Sequence, residues 1–127
     1  MAVVPKTLEI VSITFVIDGG GGVITTGQKG HLEIPFSGTI QRVTLAADQS
    51  GSIVVDIWKD TYANFPPTVA DSICGSSKPT ISSAQKSQDS TLSGWTKTTN
   101  AGDVLAFNVD SCSSITRVVI SLKAVKT

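Results

Sequence analysis

The sequence predicts an all-β fold, an antiparallel β-sandwich that is jelly-roll-like and has one short helix in a long crossover. Three observations predict it. Apolar and polar residues alternate with a period of two, helix-period patterns are nearly absent, and clusters of glycine, proline and serine separate the alternating stretches. These stretches predict about seven or eight short strands. At 127 residues, 40% of them apolar, the chain is long enough to bury a core of its own.

The first half of the chain predicts three strands followed by a hairpin. The strands cover residues 10–17, 23–26, 31–36, 39–46 and 52–59. The first is rich in β-branched residues and runs into Asp18 and four glycines. Pro35 is typical of a strand end or an edge strand. The polar cluster Asp48–Gly51 is typical of a turn, so it predicts a hairpin between the last two strands.

The second half predicts a long crossover and a second hairpin. The crossover, residues 60–90, is rich in turn-forming residues. Within it, Pro67–Cys74 has the pattern of a short helix, with proline in the first turn and Gly75 just past the end. The second hairpin joins Asp103–Val109 to Ile115–Lys123 across a polar turn.

The alternation also predicts which strand side chains face the core. Three stripes are expected to be buried: Ile53, Val55 and Ile57 with Val43 and Leu45 opposite them, Leu105, Phe107 and Val109, and Val118, Ile120 and Leu122. Asp56 and Trp58 fall on the other face of their strand. They are therefore expected to point away from the core.

Charge and hydropathy exclude several classes of protein. Ten basic and ten acidic residues give zero formal charge, whereas nucleic-acid-binding proteins carry a net basic surface. Apolar stretches of about four residues are far shorter than a bilayer requires. The segment Met1–Glu9 contains Pro5 and Lys6 where a signal peptide is apolar. We expect no nucleic-acid or membrane partner, and an N-terminal arm, residues 1–9, before a single domain, residues 10–127.

The residues that most often carry out catalysis form no recognisable motif. His31 is the single histidine, and neither cysteine lies in a nucleophile motif. The glycine-rich segment 22–30 departs from a phosphate-binding loop because no serine or threonine follows Lys29. No segment has the dense oxygen ligands of a calcium loop. The sequence therefore predicts a protein that is not an enzyme and that has no cofactor and no metal.

The aromatic residues of the crossover form the candidate binding surface. It comprises Trp58, Tyr62, Phe65 and Trp95, together with the carboxylates of Asp56 and Asp60 that flank Trp58. Flat rings presented together on a β-sheet protein can stack on sugars, so this surface is a candidate glycan or subunit contact. The alternative is that the rings pack the crossover onto the sheet, because burying an aromatic ring removes a large apolar area from water.

Two cysteines, Cys74 and Cys112, are separated by 38 positions. That spacing matches no zinc pattern, and one histidine cannot supply the missing ligands. In a reducing compartment both would be free thiols. A disulfide, within one chain or between subunits, is the alternative if the protein ends in oxidising surroundings.

Residues 50–73, with the sequence SGSIVVDIWKDTYANFPPTVADSI, resemble a module of tailed-bacteriophage structural proteins. Residues 13–21 and 107–110 are similar to other parts of the same module, so the resemblance extends from about residue 12 to residue 123. Such modules occur in capsid decoration proteins, head fibres and tail-fibre ends. The resemblance implies a β-sandwich component of the virion that forms a homo-oligomer, and it assigns no catalytic residue.

We therefore expect a capsid decoration protein that is made in the host cytoplasm and stabilises the capsid surface. It would bind the phage major capsid protein as a homo-oligomer, with a trimer favoured, and its arm or glycine loop would reach the shell. The chain has no shaft or coiled coil of the kind that a fibre protein shows. The alternative is a tail-fibre or head-fibre module that binds a receptor or a host surface glycan.

Overall fold

The computed structural model describes residues 9–127, and it contains one antiparallel sheet of seven strands. The strands are β1 (Ile10–Asp18), β2 (Gly27–Glu33), β3 (Gly38–Asp60), β4 (Thr80–Asp89), β5 (Thr98–Thr99), β6 (Val104–Ser113) and β7 (Arg117–Lys126). Two single 3₁₀ turns, Tyr62–Asn64 and Val69–Asp71, lie between β3 and β4. The strand order is β1-β7-β3-β6-β2, and β4 and β5 also pair with β3. The all-β prediction is confirmed.

Strand β3 is a single strand of 23 residues that passes through the predicted hairpin turn without reversing. Its first half pairs with β7, placing Val43 opposite Leu122, and its second half pairs with β6, placing Ile57 opposite Phe107. Strands β6 and β7 thus follow each other along β3 instead of pairing with each other. Strands β1 and β2 follow each other in the same way along β7 and β6. Both predicted hairpins are therefore wrong.

Side chains at the middle of β3 hold it to the β6–β7 corner. Asp48 Oδ1 accepts hydrogen bonds from the backbone N–H groups of Thr116 (3.2 Å) and Arg117 (3.0 Å). The Thr116 hydroxyl also donates to the Asp48 carboxylate, and this hydrogen bond, with the two backbone ones, holds the pKa of Asp48 below its usual value. The polar cluster 48–51 therefore bonds to a distant corner, whereas a hairpin turn would bond within itself.

The sheet is strongly curled, so that β1, at one end of the strand order, meets β6, the strand next to the other end. Phe15 on β1 stacks on Phe107 on β6, with ring centroids 4.3 Å apart and planes 6° apart. Phe107 is fully buried, as are the other side chains of the three predicted stripes. The prediction of which side chains face the core is confirmed. Val43 and Leu45, however, lie on the same strand as Ile53 rather than across from it.

Three predicted elements differ from the observed ones. Residues 23–26 form no strand, and β2 begins at Gly27. The predicted helix Pro67–Cys74 is reduced to one 3₁₀ turn, because the N–H of Ile73 donates to the carbonyl of Ile57 at 2.9 Å and draws the backbone against β3. Strand β4 lies inside the predicted crossover. The arm lies outside the described residues except for Glu9, whose carbonyl accepts from the N–H of Lys126 at 2.9 Å.

Replacing Gly51 with alanine tests the close contact at the bend. A Cβ atom on Gly51 would lie 2.9 Å from Ile115 Cγ1 and closer still to the carbonyl oxygen of Ser113. Because a backbone atom cannot move aside cheaply, we expect Gly51→Ala to lower the free energy of unfolding by about 2 kcal/mol in urea denaturation. Gly22→Ala is the control, since a Cβ there meets nothing within 4 Å. Equal stability of the two variants would contradict the packing at this bend.

Candidate functional site

Asp56 is a buried carboxylate beneath the segment that follows β3. It points away from the core stripe, as predicted, yet it is only 1% exposed. Ser72 and Lys78 contact it from residues 61–79, which we call the covering segment. Asp56 Oδ1 accepts from the N–H of Ile57 (2.9 Å) and the hydroxyl of Ser72 (2.6 Å), and its Oδ2 accepts from the indole N–H of Trp58 (3.0 Å). Asp56 therefore fixes the covering segment to β3.

Lys78 supplies the positive charge beside this carboxylate. Its Nζ lies 3.7 Å from Asp56 Oδ2 and 2.6 Å from Asp110 Oδ2. Asn108 in turn donates to Asp110 Oδ1 at 2.7 Å. The hydrogen bond to Asp110 is the main cause that raises the pKa of Lys78, and the charge of Asp56 adds to it. Through Asp56 on β3 and Asp110 on β6, Lys78 joins the covering segment to both strands.

Trp95 also packs this segment onto the sheet. It is 8% exposed, and its indole N–H donates to the carbonyl of Ser77 at 2.7 Å. The backbone N–H of the next residue, Thr96, donates to the carbonyl of Ile73 at 2.9 Å. Trp95, like Asp56, is therefore a packing residue and does not belong to an open binding surface.

Three large apolar side chains of the segment are exposed close together in the sequence. Tyr62 is 77% exposed, Phe65 45% and Val69 67%, and we call residues 62–69 the apolar loop. Phe65 meets the ring of His31 on β2 edge-on, with centroids 4.7 Å apart. Asp60, the last residue of β3, lies just before the loop, and its Oδ1 accepts a hydrogen bond from the N–H of Thr61 at 2.7 Å. The loop thus presents two aromatic rings and a valine to solvent from an anchored base.

The six predicted surface residues separate into two groups. Tyr62 and Phe65 are exposed on the apolar loop with the half-buried Asp60 at its start, whereas Asp56, Trp58 and Trp95 belong to the packing beneath it. The sequence reasoning missed Val69, Ser72 and Lys78. Their roles depend on how the segment folds back over β3, and no local pattern signals that.

Both cysteines are free thiols. Cys74 is fully buried, and burial raises its pKa to about 12. Cys112 is half-buried; burial also raises its pKa, and its Sγ donates to the carbonyl of Ile115 at 3.5 Å. Because a disulfide between subunits needs a sulfur that a second chain can reach, Cys112 is the better placed of the two. That pairing stays a prediction.

The raised pKa of Cys74 predicts a loss of stability at alkaline pH. Between pH 9.0 and about 12 the thiol ionises in the unfolded chain but stays protonated in the folded one. The folded state then binds more protons than the unfolded state, so stability falls as pH rises. Between about pH 8 and about pH 10.5 we expect wild type to lose about 2 kcal/mol more than Cys74→Ala in urea denaturation. Equal losses would contradict it.

Neither a metal-binding cluster nor a membrane-spanning helix occurs among residues 9–127. Within residues 9–127 no three His, Cys, Asp or Glu side chains converge on a position that could hold a metal ion. In the same range no helix has the length and apolar character to cross a membrane. The ring nitrogens of His31 lie 2.7 and 3.2 Å from the side-chain amide nitrogen of Gln28. The residues that converge, around Asp56, act to hold the apolar loop.

Comparison of the chain with protein-family models, with curated proteins and with solved structures gives no match.

Proposed function

We propose that this protein is a structural component of a bacteriophage virion, a decoration protein that binds the capsid surface as a homo-oligomer. The observation that carries the proposal is the apolar loop. It lies within residues 50–73, the same segment whose sequence resembles phage structural modules. Its partner would be the phage major capsid protein, a trimer is the favoured oligomer, and the protein would be made in the host cytoplasm.

The apolar loop has the properties of a protein-docking surface. Large apolar side chains clustered in the open favour contact with another protein, and tyrosine is over-represented among residues that dominate binding energy. The base of the loop is held by the hydrogen bonds of Asp56 and the ion pairs of Lys78. A loop that is already ordered loses less conformational entropy when it docks.

The fold supports the same proposal if the curled sheet is an antiparallel β-sandwich with jelly-roll order. Strand β3 changes partner from β7 to β6, and its register with β4 shifts between Ala46 and Ile53, so that β3 and β4 each divide into two halves. With β1, β2, β6 and β7 these halves make eight pieces. Numbered along the chain, they pair in the orders 1-8-3-6 and 2-7-4-5. These are the orders that a jelly roll would have, and jelly rolls are frequent in viral capsid proteins and lectins. A fold is shared by many functions, so it adds support without assigning one.

Locating the protein in purified virions tests the proposal. Electron cryomicroscopy is expected to find density for it at junctions between capsid subunits, and density confined to the tail tip would overturn the decoration role. Capsids that lack the protein provide the binding assay. We expect the double variant Tyr62→Ser/Val69→Ser to bind them at least roughly tenfold more weakly, because it removes two apolar anchors. Val16→Ser, which changes an exposed valine on β1, outside both the apolar loop and the glycine-rich segment, is the matched control.

A receptor-binding or glycan-binding module of a tail or head fibre is the second candidate. The exposed rings of Tyr62 and Phe65 favour it, because such rings stack on the apolar faces of sugars. A glycan array with the wild type and Tyr62→Ala tests it. Equal signals from the two proteins would remove these rings from consideration as a sugar site.

A further inference from the structure

A groove of about 470 Å³ lies on the face of the sheet that is turned away from the core. None of its lining residues belongs to the apolar loop. Its polar lining residues are Thr39, Gln41, Arg42, Ser90, Lys97 and Lys123. We call it the cationic groove. A second depression, lined by Ser12 and Ser121, continues from it and shares Arg42 and Lys123.

A β-bulge brings two of the cations together. The register between β3 and β7 shifts between Ile40 and Arg42, so that Gln41 is the extra residue and Arg42 lies directly opposite Lys123. Like charges directly opposite each other in a sheet repel and destabilise it. Lys97 lies at the same groove, because its carbonyl accepts from the N–H of Ile40 at 2.9 Å.

No acidic side chain neutralises these three cations. All ten aspartate and glutamate residues lie within the described residues, and the ion pairs found there, within 4.0 Å, use Lys59, Lys78 and Lys126. The Nε of Arg42 is buried and has no hydrogen-bond partner among residues 9–127. Buried polar atoms are usually hydrogen-bonded, so Arg42 is incompletely satisfied by the protein. Three cations around one groove, with no acidic partner within 4.0 Å, favour a ligand with oxyanion character.

We propose that the cationic groove binds the carboxylate of an acidic sugar. The planar guanidinium of Arg42 can bind a carboxylate through two hydrogen bonds, and Lys97 and Lys123 add positive charge. Thr39, Gln41 and Ser90 carry groups that both donate and accept hydrogen bonds, as the hydroxyls of a sugar require. The volume is within the range of small-molecule sites. An acidic peptide would also use the cations and could offer backbone N–H and C=O groups, but it lacks the ring hydroxyls, each both donor and acceptor, that match Thr39, Gln41 and Ser90.

Titration of the full chain followed by NMR tests the proposal with three kinds of probe. The first is a panel of digalacturonate, N-acetylneuraminate and glucuronate; the second is their methyl esters, which keep the hydroxyls and lose the charge. The third is triglutamate, which keeps the charge and lacks the hydroxyls. We expect an acidic sugar to shift the amide signals of Arg42, Lys97 and Lys123 and to bind at least roughly tenfold more tightly than its ester or triglutamate. The absence of binding by every acidic sugar, or equal binding of triglutamate, would overturn the proposal.

Matched variants separate binding from folding. Lys123→Gln removes one of two facing like charges, so we expect it to weaken acidic-sugar binding roughly tenfold while the Tm stays the same or rises. Arg42→Gln is expected to weaken binding in the same way. Lys86→Gln removes an exposed charge outside the groove and should leave binding unchanged. If Lys123→Gln lowered the Tm without changing binding, Lys123 would be a residue of the fold and the proposal would be wrong.

Discussion

Replacing Asp56 with alanine is expected to lower the free energy of unfolding by about 3 kcal/mol in urea denaturation. The carboxylate accepts hydrogen bonds from the N–H of Ile57, the indole of Trp58 and the hydroxyl of Ser72. Its removal leaves these donors without their acceptor at a largely buried position, and it leaves Lys78 with Asp110 alone. Buried donors that lose their acceptor are costly, and so is a charged pair that is broken from one side.

Asp60→Ala is the matched control for Asp56→Ala. Asp60 lies four positions further along the chain, is more exposed, and bonds only to groups of its own loop. We expect its replacement to cost less than about 1 kcal/mol. Asp56→Asn should fall between the two, since it keeps one acceptor oxygen but not the charge. Equal losses at positions 56 and 60 would show that the buried network does not hold the segment.

Replacing Phe107 with alanine is expected to cost about 4 kcal/mol, because the ring is fully buried and its removal leaves a cavity. Phe107 also tests the curl of the sheet through its stack on Phe15. The double-mutant cycle with Phe15→Ala should give a coupling energy of about 1 kcal/mol, the size expected for stacked rings. Thermal and urea denaturation of the four proteins measure it. A coupling energy of zero would contradict the contact between β1 and β6.

The parts of the fold that could be predicted are those that depend on the alternation of apolar and polar residues within one strand. Alternating stretches gave β1 and the buried stripes of β3, β6 and β7, because the side-chain period of a strand is read from adjacent residues. Strand β4 was missed because Thr80–Asp89 is polar on both faces and buries one large apolar side chain, Ile81. It forms a strand because its backbone pairs with β3 in an antiparallel ladder.

The hairpins were mispredicted because a local turn pattern competes with distant partners. Asp48–Gly51 has the composition of a turn, but Asp48 bonds to Thr116, 68 positions away. No local rule contains that pairing. The bulge at Gln41, in contrast, left a trace in the sequence, since the buried residues Ile40 and Val43 are three positions apart rather than two.

For the candidate site, the sequence predicted which face of β3 each side chain lies on, but it did not predict which of them are buried. The alternation placed Asp56 and Trp58 on the outer face of β3, and that is where they lie. Whether an outer face meets water depends on what folds over it, and here residues 61–79 do. Exposure on the apolar loop and burial beneath it are therefore properties of the tertiary structure.

The continuity of β3 has a consequence for how the chain folds. One strand supplies the ladder partners for both β6 and β7, and its pairings join residues as far apart as Gly38 and Lys126. Even the consecutive strands β3 and β4 pair across a long connection, since Val54 and Thr80 are 26 positions apart, so early contacts between strands must close long loops. Chains dominated by such non-local pairing fold in milliseconds to seconds rather than microseconds. Neither end of the sheet can form a separate folding unit, because each would need half of the same strand.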